Sequence, residues 1–349
     1  MPVARALGAG LRLLTGQLLG TPALVGASIY VTQRCNLRCV YCSSPLRDTP
    51  ELTTEQWRGI VDQLADLGCL RLTLLGGEPL LRADLGLLIA HARHRNMRCV
   101  VVSNGLLVPR RMELLREVDT LVLSLDAPGP ANDAVRGDGV FAAVQNAIDA
   151  ARHQGLRLKL NAVMSAPTAP YLDELIAFAE RQDLHLTVSV VRSGAPDLWR
   201  DAASIRSDDE AISRLFARLA ELARTNPRLL FSPATYEYAA GWGDYGRDRF
   251  EADELPADDP RRRHAPRCQA GRAYLSIDAD GTVYPCTLTF KRISGGNAAT
   301  DGVAAAWRAL HGHSCVACYT PCLVEQNFVH SLDPGVLMHF ARRHLPHFA

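Results

Sequence analysis

Two rhythms of apolar residues alternate along the chain. Short runs rich in Val, Ile and Leu fall at 28–32, 70–75, 98–103, 120–125, 156–163 and 184–191. Apolar runs of that length, bounded by polar turns, predict strands buried on both faces. Between and after them, at 53–67, 83–95, 109–117, 141–154, 171–181 and 208–224, apolar residues recur every three or four positions, which predicts helices with one buried face. Some boundaries carry their own signals. Thr53-Thr54-Glu55-Gln56 offers a capping hydroxyl with an amide three residues on, and Gly68 and Gly155 stand where helices should stop. Six strands, each followed by a helix, imply parallel pairing through right-handed crossovers. The repeat fits a sheet curling partway into a barrel or an open doubly wound sheet. In either case the functional loops belong at the carboxyl ends of the strands.

Outside this repeat the pattern changes. In residues 1–27, Leu7, Leu11, Leu13, Leu14, Leu18 and Leu19 can line one face of a helix. Arg5 and Arg12 interrupt it, so no stretch reaches the ~20 apolar residues of a membrane span, and no secretory signal is evident. Such a helix either packs on the body of the protein or offers its face to a membrane surface or a lipid-like substrate. Residues 226–267 are rich in Pro, Gly, Asp and aromatics and read as a linker or cover. Within them Tyr236, Tyr238, Trp242 and Tyr245 either roof a pocket or fill an interdomain core. Residues 268–349 read as a separate small cysteine-bearing unit, opening with a hairpin over Asp278-Ala279-Asp280-Gly281.

Composition narrows the class. With 349 residues, 48% hydrophobic and 21% charged, the chain can bury a full core. A net charge of +1 gives no electrostatic reason to expect a nucleic acid partner, and the basic run Arg261-Arg262-Arg263-His264 reads as a solvated loop. The ten cysteines matter more. With no signal segment and two tight clusters, they read as metal ligands in a reducing compartment, expected to be the cytoplasm.

Cys35, Cys39 and Cys42 follow the first predicted strand directly. Three thiolates on one tight loop suit three irons of a 4Fe–4S cluster and leave the fourth iron open. Zinc would want a fourth protein ligand, and the loop holds no other Cys or His. This Cys-x3-Cys-x2-Cys motif, with Tyr41 just before the last cysteine, resembles the radical S-adenosylmethionine (SAM) superfamily. Gly76-Gly77-Glu78-Pro79 after the second strand, Ser103-Asn104-Gly105 after the third and Ser124-Leu125-Asp126 at the end of the fourth fall in the family's order. Arg136 and Asn161 stand where such proteins contact SAM. The resemblance implies a partial (β/α)6 TIM-type barrel over 28–225. It implies SAM contacts from Tyr41, Gly76, Gly77, Glu78, Ser103, Asn104, Ser124, Asp126, Arg136 and Asn161. Glycines at 76 and 77 would expose backbone groups to the SAM amino group, and Glu78 would add a charge-assisted contact. The chemistry implied is reductive cleavage of SAM to methionine and a 5′-deoxyadenosyl radical that takes a hydrogen atom from substrate. The electron would come from an external donor such as flavodoxin or ferredoxin.

The tail cysteines Cys268, Cys286, Cys315, Cys318 and Cys322 resemble the SPASM or twitch extensions of the same superfamily. That implies one auxiliary 4Fe–4S cluster held by four of the five. Cys268, Cys286, Cys315 and Cys318 match the single-cluster arrangement, with Cys322 able to replace one of them. A zinc ribbon is the alternative. Cys69 and Cys99 read as core residues, with hydrogen-atom donation to a substrate radical as the outside role. His313 and His330 are outside candidates near the auxiliary site. Only about 27 residues precede the first strand, so a leader-recognition domain is expected to be absent or supplied by another chain, and a small-molecule or lipid-like substrate is expected ahead of a peptide. The outcome would be dehydrogenation, epimerisation or bond formation. A non-catalytic iron–sulfur or zinc scaffold, or an electron-transfer protein, would leave Gly76-Gly77-Glu78 and Ser103-Asn104-Gly105 without a purpose.

Overall fold

Each of the six apolar runs forms a strand in a computed structural model that describes residues 3–192 and 202–344. They are β1 (Gly26–Thr32), β2 (Arg71–Gly76), β3 (Arg98–Ser103), β4 (Thr120–Ser124), β5 (Leu158–Met164) and β6 (His185–Val190). All pair in parallel with their sequence neighbours. Crossover helices at Thr54–Asp66, Leu85–His94, Val140–His153 and Leu172–Arg181 connect them, and Asp209–Thr225 follows β6. The Thr53 hydroxyl and Gln56 amide form a reciprocal cap on the first of these helices.

Strand alternation divides the structure into two layers. Ile29, Leu72, Val101, Leu123, Leu160 and Leu186 are fully buried against the helices, where they meet Trp57, Leu88, Val144, Leu175 and Phe216. The alternate positions Ser28, Thr73, Ser124, Asn161 and Thr187 lie on the other face and are only half-buried. Polar residues on a concave face of parallel strands make a chamber rather than a second core.

The chain continues through β7 (Arg249–Glu251), β8 (Tyr274–Ile277), β9 (Val283–Tyr284) and β10 (Cys315–Cys318). β8 and β9 form the expected hairpin, with Gly281 at φ +89° in its turn. The hairpin is not a free-standing unit. β8 pairs in parallel with β1, Gly26 opposite Tyr274 and Ile29 opposite Ile277, so the sheet runs β6-β5-β4-β3-β2-β1-β8-β9. Its two outer strands are not paired with each other, so it does not close.

Several expectations are corrected. Residues 109–117 hold only short 3-10 turns, Val108–Arg110 and Met112–Leu115, separated at Arg111, whose backbone leaves the helical region at φ −127°. Pro130–Arg136 is a helix, with Pro130 in its first turn where a missing N–H does no harm. The stretch 226–267 contains a helix, Pro233–Ala240, and β7. Tyr236, Trp242 and Tyr245 are fully buried with Phe216 and Tyr319, an aromatic core rather than a roof, and the half-buried Tyr238 donates to the Arg261 carbonyl at 2.7 Å. The N-terminal helix Val3–Leu19 is anchored by Arg12 on the Gly68 carbonyl and by Gln17 on the His330 carbonyl, both at 2.8 Å. Leu11, Leu14, Leu18 and Leu19 remain exposed on it. Among the described residues no helix is long and apolar enough to cross a membrane.

Candidate active site

The loop that leaves β1 carries Cys35, Cys39 and Cys42, and the ends of β2 to β5 are built around it. Its entry is fixed by close backbone contact. The Gly77 N–H donates to the Thr32 carbonyl and the Glu78 N–H to the Arg34 carbonyl, both at 2.8 Å. A Cβ on Gly76 would lie 2.1 Å from the Thr32 oxygen, and one on Gly77 would lie 2.2 Å from the Arg34 oxygen. Gly76 also has φ +153°. The glycines therefore serve first to let β2 press against the strand leading into the cysteines. Since the Gly77 and Glu78 N–H groups are engaged in the chain, only carbonyl oxygens of this segment are left to face an ammonium.

Glu78 is fully buried. It accepts from the Ser103 hydroxyl at 3.0 and 3.1 Å, the Asn104 N–H at 2.8 Å and the Leu80 N–H at 3.1 Å. Burial pushes its pKa up to about 7. The Asn104 amide bridges to Asn36 at 2.8 Å and reaches the Cys35 sulfur at 3.8 Å. One chain of hydrogen bonds thus ties the ends of β2 and β3 to the cysteine loop. Asn36 carried no signal of its own in the sequence.

The far side of the loop is held by an ion pair. Asp126, fully buried after β4, accepts from Arg136 Nε at 2.7 Å and Nη2 at 2.8 Å, from the Tyr41 hydroxyl at 2.7 Å and from the Val163 N–H at 2.8 Å. Four donors fill the four acceptor positions of that carboxylate. Tyr41, Asp126 and Arg136 are therefore brought together, but bonded to one another. Ser124 and Asn161 are opposite each other in the β4–β5 ladder on the chamber face, and the Thr187 hydroxyl donates to the Asn161 side-chain amide oxygen at 2.9 Å.

The three thiols are free and lie within electrostatic reach of one another. Burial raises the Cys35 pKa and pushes Cys39 up to about 11. The Cys39 sulfur rests 3.8 Å from the Arg136 carbonyl. In the tail, Cys268, Cys315 and Cys318 line one small cavity. Cys286 senses Cys315, and burial pushes its pKa up to about 12. Cys322, on the first turn of the helix Pro321–His330, is exposed and faces Arg192 and Arg71. Among the described residues no three Cys, His, Asp or Glu side chains converge as one metal ion would hold them. All-thiol donor sets of this kind fit an iron–sulfur cluster, which attaches at several irons. Cys69 and Cys99 are fully buried in the core between sheet and helices, Cys99 with its sulfur against the Ile89 carbonyl, so neither borders the chamber. The His313 ring is bonded to the Ala270 carbonyl at 2.7 Å.

Comparison with known proteins agrees with this geometry. Residues 29–179 match the radical SAM superfamily, and residues 268–313 match SPASM, an iron–sulfur cluster-binding domain. A PqqA peptide cyclase of Streptomyces rochei is 41% identical over 153 residues, which is 42% of this chain and 42% of that protein. The chain thus spans under half the length of that relative. The PqqA peptide cyclase of Ruegeria pomeroyi is 31% identical over 278 residues, covering 76% of this chain and 68% of the relative. The solved structure of Streptococcus suis SuiB bound to precursor peptide SuiA has the same fold, with a TM-score of 0.62 at 18% identity over 84% of this chain and 67% of that one. Thiols, glycine turn and parallel sheet thus have one common explanation: the chain belongs to the radical SAM superfamily and carries a SPASM-type iron–sulfur extension.

Proposed function

We propose that this enzyme modifies a peptide. The observation that carries the reading is the match to peptide cyclases over three quarters of the chain, joined to a shared fold with an enzyme solved on its precursor peptide. It reverses the order expected from the sequence, where a small or lipid-like substrate stood first because few residues precede β1.

The reading assigns the following roles. Cys35, Cys39 and Cys42 hold the SAM-binding cluster. When bound, cluster and SAM supply a 5′-deoxyadenosyl radical, which is chemistry no side chain here can provide. The polypeptide positions and shields. The Gly76 and Gly77 carbonyls receive the SAM ammonium and buried Glu78 braces the turn that presents them, while Ser124 and Asn161 offer polar groups to the nucleoside from the chamber wall. Asp126 and Arg136 act one step back, by clamping Tyr41 and with it the loop between Cys39 and Cys42. Cys268, Cys286, Cys315 and Cys318 hold the auxiliary cluster, and Cys322 is left out of it.

The test uses the anaerobically reconstituted enzyme with SAM and a reductant, offered either a deuterated peptide digest or a deuterated lipid and metabolite extract. Deuterium entering 5′-deoxyadenosine from the peptides supports the reading. Transfer from the extract alone overturns it.

A further inference from the structure

Where the barrel meets the C-terminal hairpin, a charged group is buried with part of its hydrogen-bonding capacity unused. Arg47 follows the turn Ser44–Leu46, just beyond Cys42, and its side chain is only 8% exposed. Its Nη2 is paired with Asp278 at the end of β8. Nε and Nη1 are buried and have no acceptor. Asp278 also accepts from the Gln33 amide nitrogen and from the Ala279 N–H. Since Gln33 must present its nitrogen to Asp278, its oxygen points elsewhere. That oxygen is likewise buried without a partner, on a residue 1% exposed.

An aromatic cluster borders these groups. Tyr30, on the chamber face of β1, packs edge-on against Phe290 at 4.9 Å, and Phe290 packs on Tyr284 at 4.5 Å. The Arg47 guanidinium carbon lies 5.7 Å from the Phe290 ring centre. A buried arginine thus borders the aromatic wall, with Asp278 the acid bonded to it.

We infer that Arg47 and Gln33 form a recognition site for the carboxylate of an acidic residue in the substrate. The carboxylate accepts from one open donor of the Arg47 guanidinium, Nε or Nη1, and a backbone N–H of the same residue is received by the Gln33 oxygen. Asp278 holds both side chains in place from the hairpin, and the aromatic wall excludes water from the pair, which strengthens it. The inference rests on the peptide reading above for the source of the carboxylate. Water filling the same space would satisfy the nitrogens but would not tell an acid from its amide.

That difference is the test. The holoenzyme, with SAM bound and oxygen excluded, is titrated calorimetrically with acetyl-Ala-Glu-Ala-amide, acetyl-Ala-Gln-Ala-amide and glutarate. The glutamate peptide should bind about tenfold or more tightly than the glutamine peptide, the margin of one charge-assisted contact. Arg47→Gln should reduce the preference to within about threefold while the glutamine peptide is little affected. Arg47→Lys keeps a cation for Asp278 but loses the fork, so it should do the same in a protein that still binds SAM. Equal binding of the two peptides to the wild type leaves the peptide reading standing and overturns the carboxylate site. So does a preference that survives both variants. Glutarate binding that depends on Arg47, with neither peptide bound, supports the carboxylate site and removes the peptide reading. Binding of none of the three overturns the site.

Discussion

The ion pair between Asp126 and Arg136 allows a quantitative test of how the cysteine loop is held. Asp126 is fully buried and Arg136 is 6% exposed, so Asp126→Asn leaves a guanidinium in the interior with no counter-charge. Breaking one partner of a buried pair costs about 3–5 kcal/mol. Unfolding entropy near 60 °C is roughly 2.1 cal/mol/K per residue, or about 0.7 kcal/mol/K for this length, so the melting midpoint should fall by about 4–7 °C. The Asp126→Leu/Arg136→Met double variant removes both charges and should recover most of that loss. Differential scanning fluorimetry of the metal-free protein reads all three. A second assay separates this bolt from an ordinary stability element. Because Tyr41 donates to Asp126 between two of the cysteines, Asp126→Asn should also retain less iron after reconstitution, at temperatures well below its midpoint. A midpoint shift under about 1 °C, or a double variant as unstable as the single, would refute the argument that the pair is the loop's anchor.

Gly77→Ala sets a Cβ 2.2 Å from the Arg34 carbonyl and should displace the lead into Cys35, so that iron retained falls by roughly half; Gly59→Ala, on an exposed helical position with open space around it, should retain full iron and stabilise by about 0.5–1 kcal/mol. Cys318→Ala should also lose roughly half of the iron and Cys322→Ala none, read by iron and sulfide analysis; iron loss in Cys322→Ala would put Cys322 among the ligands. Glu325 accepts from the Ser232 N–H and hydroxyl and from the Thr235 hydroxyl through one oxygen, while its other oxygen is buried and unpartnered. Burial raises its pKa above the ordinary 4.5, so the folded state holds this proton more tightly than the unfolded chain. The contribution is then favourable below 4.5 and is lost as pH rises through the higher folded value. Glu325→Gln should flatten that slope. Its midpoint relative to wild type should rise between pH 5 and pH 8, and a constant difference would show that Glu325 does not titrate in this window.

The parts of the fold that were legible in the sequence are those decided locally. The strand runs end within two residues of the observed strands because a face packed on helices and a partly covered opposite face together favour consecutive apolar residues, as in Arg98–Ser103, where Cys99 and Val101 are fully buried and Val100 and Val102 half-buried. The cap at Thr53 and the hairpin turn at Gly281 are local too. The cysteine loop was legible because three thiols must lie close in sequence to share one turn. The joining of β8 to β1 was not. A parallel neighbour needs no connecting turn, and nothing in Tyr274–Ile277 names Gly26–Thr32 as its partner. The same reason hides the finer parts of the site. Asp126 and Arg136 read separately as groups facing SAM, and only the fold shows that they satisfy each other. Gln33 and Asp278 are 245 residues apart, and Arg47 is a single arginine in a polar loop. Their meaning arises only once the hairpin is laid beside β1, which turns an Asp that looked like part of a turn into the bracket for a buried cation. Residues that hold a cofactor by covalent ligation are constrained in spacing and can be read from the chain. Residues that recognise a substrate are constrained only in space. Arg47, Gln33 and Asp278 are of the second kind, brought together only where β8 pairs with β1.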